Sequence, residues 1–194
     1  GARLASVVRW RDGERSEIDD WLTEEVPVAF EFNGISHAVM LATPADLDDF
    51  ALGFGLGEGI FASKADLHDC EIHASAQGIT VSMAVSARSF AGLKERRRTL
   101  AGRTGCGVCG TESLDQVLRP VPIVGAAVSI ESSAIAAAMR ELHRHQLLNQ
   151  ATGSVHAAAW CSAAGTVLTL REDVGRHNAL DKLVGALARG GVST

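Results

Sequence analysis

Residues 171–182 read Arg171-Glu172-Asp173-Val174-Gly175-Arg176-His177-Asn178-Ala179-Leu180-Asp181-Lys182. The β-prone residues 166–170 before this stretch predict a strand. Apolar residues recur after its start with helical spacing and predict the buried face of a last helix, at Leu180, Leu183, Val184 and Leu187. The stretch therefore joins a strand to a helix that begins around residues 176–178. Polar side chains massed at such a junction suit an anion site, and they equally suit an ordinary capped turn.

The segments before this junction alternate between strand and helix patterns. Residues 155–161 and 166–170 predict paired strands, and residues 131–148 have the spacing of a helix. Two more strands are predicted around residues 67–73 and 79–85. Asn33-Gly34 between the β-prone residues 26–32 and 35–41 is typical of a hairpin.

A helix is predicted after the hairpin. Thr43 can cap it, Pro44 fits its first position and Asp46 completes a capping box. Its apolar face is expected at Leu47, Phe50, Ala51 and Phe54. Glycines alternate at its far end, at Gly53, Gly55, Gly57 and Gly59. They favour close backbone packing or an early helix end over a phosphate loop, because they follow a helix instead of joining a strand to one.

Cys106 and Cys109 form a C-x-x-C pair set among glycines. Such a pair can exchange sulfur or electrons or bind a metal, and the glycines suit a thiol that moves, so we expect a mobile loop over residues 101–111. A basic stretch precedes the pair, at Lys94, Arg96, Arg97, Arg98 and Arg103. Those cations favour the reactive thiolate, as does a helix predicted to start at Thr111 or Ser113, although a charge run is often only a solvated helix face.

Composition sets the class of protein. The chain has 194 residues and a formal net charge of −5, which describes one compact domain or slightly more, and no apolar run approaches a membrane span. We expect a cytoplasmic protein without nucleic-acid or membrane partners. Four cysteines are too few for a disulfide scaffold, and Cys70 and Cys161 are expected to be small core residues.

Several motifs together resemble the formate dehydrogenase accessory sulfurtransferase family, FdhD. They are Cys106-Gly107-Val108-Cys109-Gly110, the run 171–182, Thr152-Gly153-Ser154-Val155-His156-Ala157-Ala158, the stretch from Thr43-Pro44-Ala45-Asp46-Leu47 to Glu58-Gly59-Ile60, and Glu24-Glu25-Val26-Pro27. The likeness extends from about residue 20 to the last helix. The run 171–182 is highly specific, whereas a lone C-x-x-C would be weak.

The resemblance implies a cytidine-deaminase-like α/β fold, a layered sheet with helices. We expect residues 1–42 to form a small N-terminal β region packed on a core of residues 43–194. Members of the family continue past the helix that follows the His-Asn run, whereas this chain stops at Ser193-Thr194. A C-terminal strand-helix portion of the family fold is therefore expected to be missing, and an exposed sheet edge would favour a homodimer.

The resemblance also implies a sulfur relay. Such proteins accept persulfide sulfur from a cysteine desulfurase and pass it to the molybdenum bis(molybdopterin guanine dinucleotide) cofactor of formate dehydrogenase. Cys106 would carry the persulfide and Cys109 would assist or resolve it. Donor chemistry and placement make four residues candidates for contacting the phosphate or guanine part of that cofactor, His156, Arg176, His177 and Asn178. A second interpretation is a chaperone that binds the cofactor without sulfur chemistry.

Three other uses of the thiol pair fit less well. A zinc deaminase needs His-x-Glu and Pro-Cys-x-x-Cys, and the sequence has neither. A closed zinc site needs four ligands, and there is no second C-x-x-C, although His156, Cys161 or His177 could complete one. Thioredoxin-like pairs follow a strand and open a helix, whereas this pair follows a basic segment. We therefore expect no bound metal.

Overall fold

The computed structural model describes residues 1–99 and 128–192, with the side chains of residues 94–99 left aside. Its strands are β1 Ala2–Arg11, β2 Glu14–Thr23, β3 Val26–Phe32, β4 Ile35–Ala42, β5 Leu67–Ser75, β6 Gly78–Val85, β7 His156–Cys161 and β8 Val167–Asp173. Its helices are α1 Leu47–Gly57, α2 Ala87–Thr99, α3 Ser132–His145, α4 Leu147–Thr152 and α5 Arg176–Arg189, with a short 3₁₀ turn at Lys64–Asp66. The predicted α/β class is confirmed.

The central sheet has four strands in the order β4-β3-β6-β5. The β3–β4 and β5–β6 pairs are antiparallel, and β3 lies parallel to β6. Two-stranded hairpins are formed by β1–β2 and by β7–β8. The domain boundary expected at residue 42 does not follow a break in the sheet, because β3 and β4 precede it while β5 and β6 follow it. Only the β1–β2 hairpin lies apart from the central sheet as an N-terminal β region.

The core lies between this sheet and α1. Val28, Phe30 and Phe32 alternate along β3 and are fully buried, as period-two patterning requires of a strand with one face inward. The ring of Phe30 packs edge-on against that of Phe50 in α1, with centroids 5.0 Å apart. Aromatic pairs in this geometry add about 0.5–1.5 kcal/mol beyond the area that they bury. The hairpin and the first helix are thus joined through one aromatic cluster.

The helices α1 and α5 cross at glycines. A Cβ atom on Gly53 would collide with the backbone carbonyl of Asp181, and one on Gly185 would collide with the carbonyl of Asp49. Gly53 therefore serves close backbone packing, one of the two roles predicted for the glycines at this end of α1. This contact fixes α5, and with it the turn that precedes α5, against the core.

Three local expectations are corrected by the structure. The first helix begins at Leu47 after Asp46 in the left-handed region at φ 53°, and no side chain caps it, because Thr43 is bonded elsewhere. The helix predicted over 131–148 divides at Gln146 into α3 and α4. Leu180, expected to be buried, is 52% exposed, because the inward face of α5 carries polar side chains in its place.

Candidate functional site

The junction between β8 and α5 contains a buried ion pair. The Nζ of Lys182 lies 2.6 Å from Oδ2 of Asp173, and both side chains are fully buried. The ammonium also donates to the carbonyl oxygen of Thr43 at 2.9 Å and lies 5.7 Å from the ring centroid of Phe50. A charge removed from water in this way is tolerated only when it is paired and hydrogen-bonded, and here it is both.

The carboxylate of Asp173 is saturated by further donors. Its Oδ2 accepts the amide of Thr43 at 3.0 Å, and its Oδ1 accepts the amide of Gly175 at 2.8 Å and Nδ2 of Asn178 at 2.9 Å. The hydroxyl of Thr43 accepts the amide of Val174 at 3.1 Å. These bonds satisfy the polar groups of the turn within the protein, so in this part of the junction the polar side chains support the turn, although no side chain caps α5.

Asn178 was expected to contact a cofactor, and the structure gives it another role. Only 9% of the residue is exposed. Its side-chain amide donates to Asp173 and to the carbonyl oxygen of Leu41 at 2.9 Å, which ties α5 to β4. Both amide hydrogens therefore have acceptors inside the protein, so the residue supports the turn from within.

The other three predicted cofactor residues are exposed and lie at one end of the β7–β8 hairpin. The strand register sets His156 opposite Asp173, and Arg176 and His177 open α5 a few residues later. All three residues are exposed to solvent. We call His156, Arg176 and His177 the rim. Together they present guanidinium and imidazole donors, which suit phosphate oxygens.

Two more residues of the run 171–182 brace the hairpin from opposite sides. The guanidinium of Arg171 donates from Nε and Nη2 to Oδ2 of Asp49, at 2.8 and 2.7 Å, and Arg189 donates to Oδ1 of the same buried carboxylate at 3.1 Å. The carboxylate of Glu172 accepts the amides of Leu148 and Asn149 at 2.9 and 2.8 Å, which caps the start of α4. The strand next to the rim is therefore held against α1, α4 and α5 by hydrogen bonds.

The structure separates the cysteines by their surroundings. Burial, with the nearby carboxylate of Asp48, raises the pKa of the Cys70 thiol to about 12, so this cysteine is a poor nucleophile at neutral pH. Cys70 packs partly buried against the core, and Cys161 is half-buried in β7. Cys106, Cys109 and the basic side chains predicted to activate them lie outside the described residues.

Among the described residues, no group of three or more His, Cys, Asp and Glu side chains is placed to hold a metal ion. No helix in the same part of the chain is long and apolar enough to cross a membrane.

Sequence reasoning missed Thr43 and Lys182 as parts of the junction. The sequence pattern predicts Thr43 as a helix cap and gives Lys182 no role beyond its place at the end of the run. A signal was present in the sequence, because Asn178 and Lys182 are four residues apart and share a helix face with the apolar Leu183. Polar side chains on the inward stripe of an amphipathic helix indicate a buried polar cluster.

Comparison with known proteins gives concordant matches. Residues 23–194 match the model of the FdhD/NarQ family. A protein of Variovorax paradoxus named sulfur carrier protein FdhD is 59% identical over 173 residues, which are 89% of this chain and 62% of the relative. A protein of Cupriavidus necator with the same name is 57% identical over 187 residues, 96% of this chain and 65% of that one. The chain thus spans less than two thirds of the length of these relatives.

A solved structure also resembles the fold. It is a crystal structure from Desulfotalea psychrophila described as a formate dehydrogenase accessory protein, and it matches with a TM-score of 0.68 at 24% identity. The match covers 97% of this chain and 70% of that one. At this level of identity the likeness concerns the fold alone.

Proposed function

This chain belongs to the FdhD/NarQ family, and from that premise we propose that it is a sulfur carrier for formate dehydrogenase. The observation that supports the proposal most directly is the identity of 57–59% to relatives named sulfur carrier protein FdhD. In the proposed relay, a cysteine desulfurase supplies persulfide sulfur, and the chain passes it to the molybdenum bis(molybdopterin guanine dinucleotide) cofactor. That cofactor is cargo, which then enters formate dehydrogenase.

In this proposal Cys106 carries the sulfur and Cys109 assists or resolves it. The thiolate of Cys106 attacks the terminal sulfur of the desulfurase persulfide, and the desulfurase cysteine leaves as a thiolate. One sulfur atom is thus transferred to Cys106 without net oxidation. The raised pKa of Cys70 supports the assignment, because a thiol that stays protonated at neutral pH is unsuited to this attack.

The rim is proposed to contact the diphosphate or guanine part of the cargo. His156, Arg176 and His177 are exposed donors at one end of a braced hairpin, and such side chains can reach phosphate oxygens without first rearranging the backbone. Asn178 is excluded from this contact set, because its amide is bonded to Asp173 and Leu41.

The sulfur step can be tested with the purified protein, a cysteine desulfurase and ³⁵S-labelled cysteine. Trapped persulfide is located by mass spectrometry after blocking of free thiols. We expect wild type and Cys70→Ala to carry one labelled sulfur and Cys106→Ala to carry none. Normal labelling of Cys106→Ala together with loss of label in Cys109→Ala would contradict the assignment.

The same cysteines distinguish sulfur transfer from cofactor chaperoning. Formate dehydrogenase is produced beside a double variant, Cys106→Ala with Cys109→Ala, and its cofactor content and activity are measured. We expect normal cofactor content with little activity, because the sulfur ligand is missing. Full activity in this background would favour the chaperone.

Binding at the rim can be measured separately by titration with guanosine diphosphate. We expect Arg176→Ala and His177→Ala to weaken binding at least several-fold, since each removes a donor to phosphate. His143→Ala is the matched control, because His143 is an exposed histidine on α3. An equal loss of affinity in the rim and control variants would show that guanosine diphosphate responds to the overall charge of the protein and does not bind at the rim.

A further inference from the structure

A cleft of about 420 Å³ opens beside β5, the edge strand of the central sheet. Its walls come from the first two turns of α1, from the 3₁₀ turn with the start of β5, and from the end of α5. The rim lies at the other end of α5, about 20 Å away along the 14 residues of this helix. Ligand sites in proteins have volumes of about 300–1,000 Å³, so this space, which we call the β5 cleft, suits a small molecule.

Charged side chains of both signs line the β5 cleft. The carboxylates are those of Asp48 and Asp69, and the cations are those of Lys64 and Arg189, so their formal charges cancel. Within the described part of the chain, neither Lys64 nor Asp69 forms an ion pair, although both are exposed at the same cleft. Asp69 accepts the amide of Cys70 at 2.9 Å through Oδ1 alone. Opposite charges that face one cleft without pairing can instead pair with a ligand that carries both charges.

The two carboxylates lie at the same end of the β5 cleft. Burial raises the pKa of the Cys70 thiol to about 12, and the carboxylates of Asp48 and Asp69 add to this effect. Both carboxylates are therefore close to the sulfur atom and make this end negative. The guanidinium of Arg189 donates to Asp49 at 3.1 Å and lies 3.9 Å from Asp48, so it offsets the negative charge only in part. An ammonium group suits such an end.

Donors and apolar groups complete the β5 cleft. Lys64 of the 3₁₀ turn and His68 of β5 are exposed, and neither side chain has a hydrogen-bond partner among the residues described by the structure. Their N–H groups can donate to a carboxylate. Leu52, which is only 2% exposed, and the half-buried Leu67 form an apolar wall beside these polar groups.

We propose that the β5 cleft binds a free α-amino acid with a small aliphatic side chain, in its zwitterionic form. The ammonium group of the ligand pairs with Asp48 and Asp69. The carboxylate of the ligand accepts hydrogen bonds from Lys64 and His68, and its side chain packs against the apolar wall. The ligand has no net charge, and neither does the set of four charged side chains, so no charge is left in excess. The proposal is independent of the sulfur-carrier function, because no rim residue and neither cysteine of the C-x-x-C pair takes part.

L-Leucine is the probe for this site, and two analogues each keep one of its charges. 4-Methylpentanoate has the carboxylate without the ammonium group, and 3-methylbutylamine has the ammonium group without the carboxylate. We expect a dissociation constant for leucine on the order of 1 mM, because half-exposed ion pairs contribute little. Each analogue should bind at least several-fold more weakly than leucine. Two-dimensional ¹H–¹⁵N NMR of the full chain measures binding through the amides of residues 64–70.

Two variants test the two charges one at a time. Lys64→Gln should weaken leucine several-fold and leave 3-methylbutylamine unchanged, because that amine has no group for Lys64. Asp69→Asn should also weaken leucine several-fold, but it should not weaken 4-methylpentanoate. Both substitutions keep the approximate shape of an exposed side chain, and unshifted amides elsewhere show that the fold is intact. Arg140→Gln is the matched control, because Arg140 is an exposed cation on α3 and does not line the cleft.

Three results would overturn the proposal. Amides of residues 64–70 that do not move at about 50 mM leucine, well above the expected dissociation constant, would show that the cleft binds no such amino acid. An analogue that binds as tightly as leucine would show that the cleft recognises a single charge. An equal loss of leucine affinity in Arg140→Gln and Lys64→Gln would show that leucine responds to the overall charge of the protein.

Discussion

The buried pair of Lys182 and Asp173 should make the junction sensitive to the loss of either charge. In Lys182→Met the side-chain length is kept while the ammonium is removed. Asp173 retains the donors of Thr43, Gly175 and Asn178 but loses its counter-charge. Both members of the pair have no exposed side-chain surface, so water cannot take the place of the missing partner.

Removing one partner of a buried ion pair costs about 3–5 kcal/mol. Because Asp173 keeps three donors, we expect Lys182→Met to lower the free energy of unfolding by about 3 kcal/mol, near the lower end of this range. In Asp173→Asn the ammonium keeps only the carbonyl of Thr43 and the ring of Phe50, so the loss should be larger, at about 4 kcal/mol. With both substitutions no charge is buried. The double variant should then be at least about 2 kcal/mol more stable than the two losses together predict.

Urea unfolding followed by circular dichroism measures these free energies, provided that the denaturant slope stays constant across the variants. Lys64→Met is the matched control, since Lys64 is exposed and the same substitution there should change stability by no more than about 0.5 kcal/mol. A loss below about 1 kcal/mol in Lys182→Met, or additive losses in the double variant, would refute the reasoning.

Three further predictions concern other parts of the structure. Gly53→Ala should destabilise by several kcal/mol in a thermal melt, because its Cβ meets the backbone of Asp181, whereas Gly92→Ala, with open space around it, should stabilise by up to about 1 kcal/mol. Burial, then the carboxylate of Glu58, raises the pKa of Asp181 to about 6, so the folded state holds this proton more tightly than the unfolded chain. Stability due to this group is lost as pH rises from about 4 to about 6, and Asp181→Asn should be about 1 kcal/mol more stable than wild type at pH 7 once solvent screening is allowed for. Cys70 should react with iodoacetamide at pH 7.5 far more slowly than free cysteine, as peptide mass spectrometry would show.

Each of these has a result that would count against it. Equal melting temperatures for Gly53→Ala and Gly92→Ala would mean that the helices can separate freely. If the stabilities of wild type and Asp181→Asn changed in parallel between pH 4 and 6, Asp181 would not be the group that takes up the proton. Labelling of Cys70 at the rate of free cysteine would show an accessible thiolate.

Strands β3 to β8 and the last helix could be predicted because their signals are local. Asn33-Gly34 specifies a hairpin turn, and the β-prone residues on each side supply its strands. The start of α1 could not be predicted in this way. Thr43 has the chemistry of a helix cap, but its hydroxyl accepts the amide of Val174, 131 residues later in the chain, and no side chain caps the helix. Local propensity gives way where a distant partner engages the side chain that would act as the cap.

The candidate site shows the same division. Donor chemistry and placement predict His156, Arg176 and His177 as cofactor contacts, and the structure leaves all three exposed. Asn178 also has a polar side chain that can donate hydrogen bonds, but it is buried, whereas the three rim residues are exposed. Asn178 is buried because of the way α5 is rotated about its axis. The spacing of apolar residues in α5 indicates this rotation, and the close contact between Gly185 and α1 fixes it.

The run 171–182 therefore contains bracing residues and exposed residues, and their effects ought to separate under mutation. Arg171, Glu172 and Asp173 reach three different segments, at Asp49, at the start of α4 and at Thr43. A turn held from three sides has little backbone freedom left, so a ligand that binds there pays little to order it. Substitutions in the braces should lower stability first and binding as a consequence, whereas substitutions in the rim should lower binding at unchanged stability. Much of the run 171–182 thus supports the turn that carries its exposed residues.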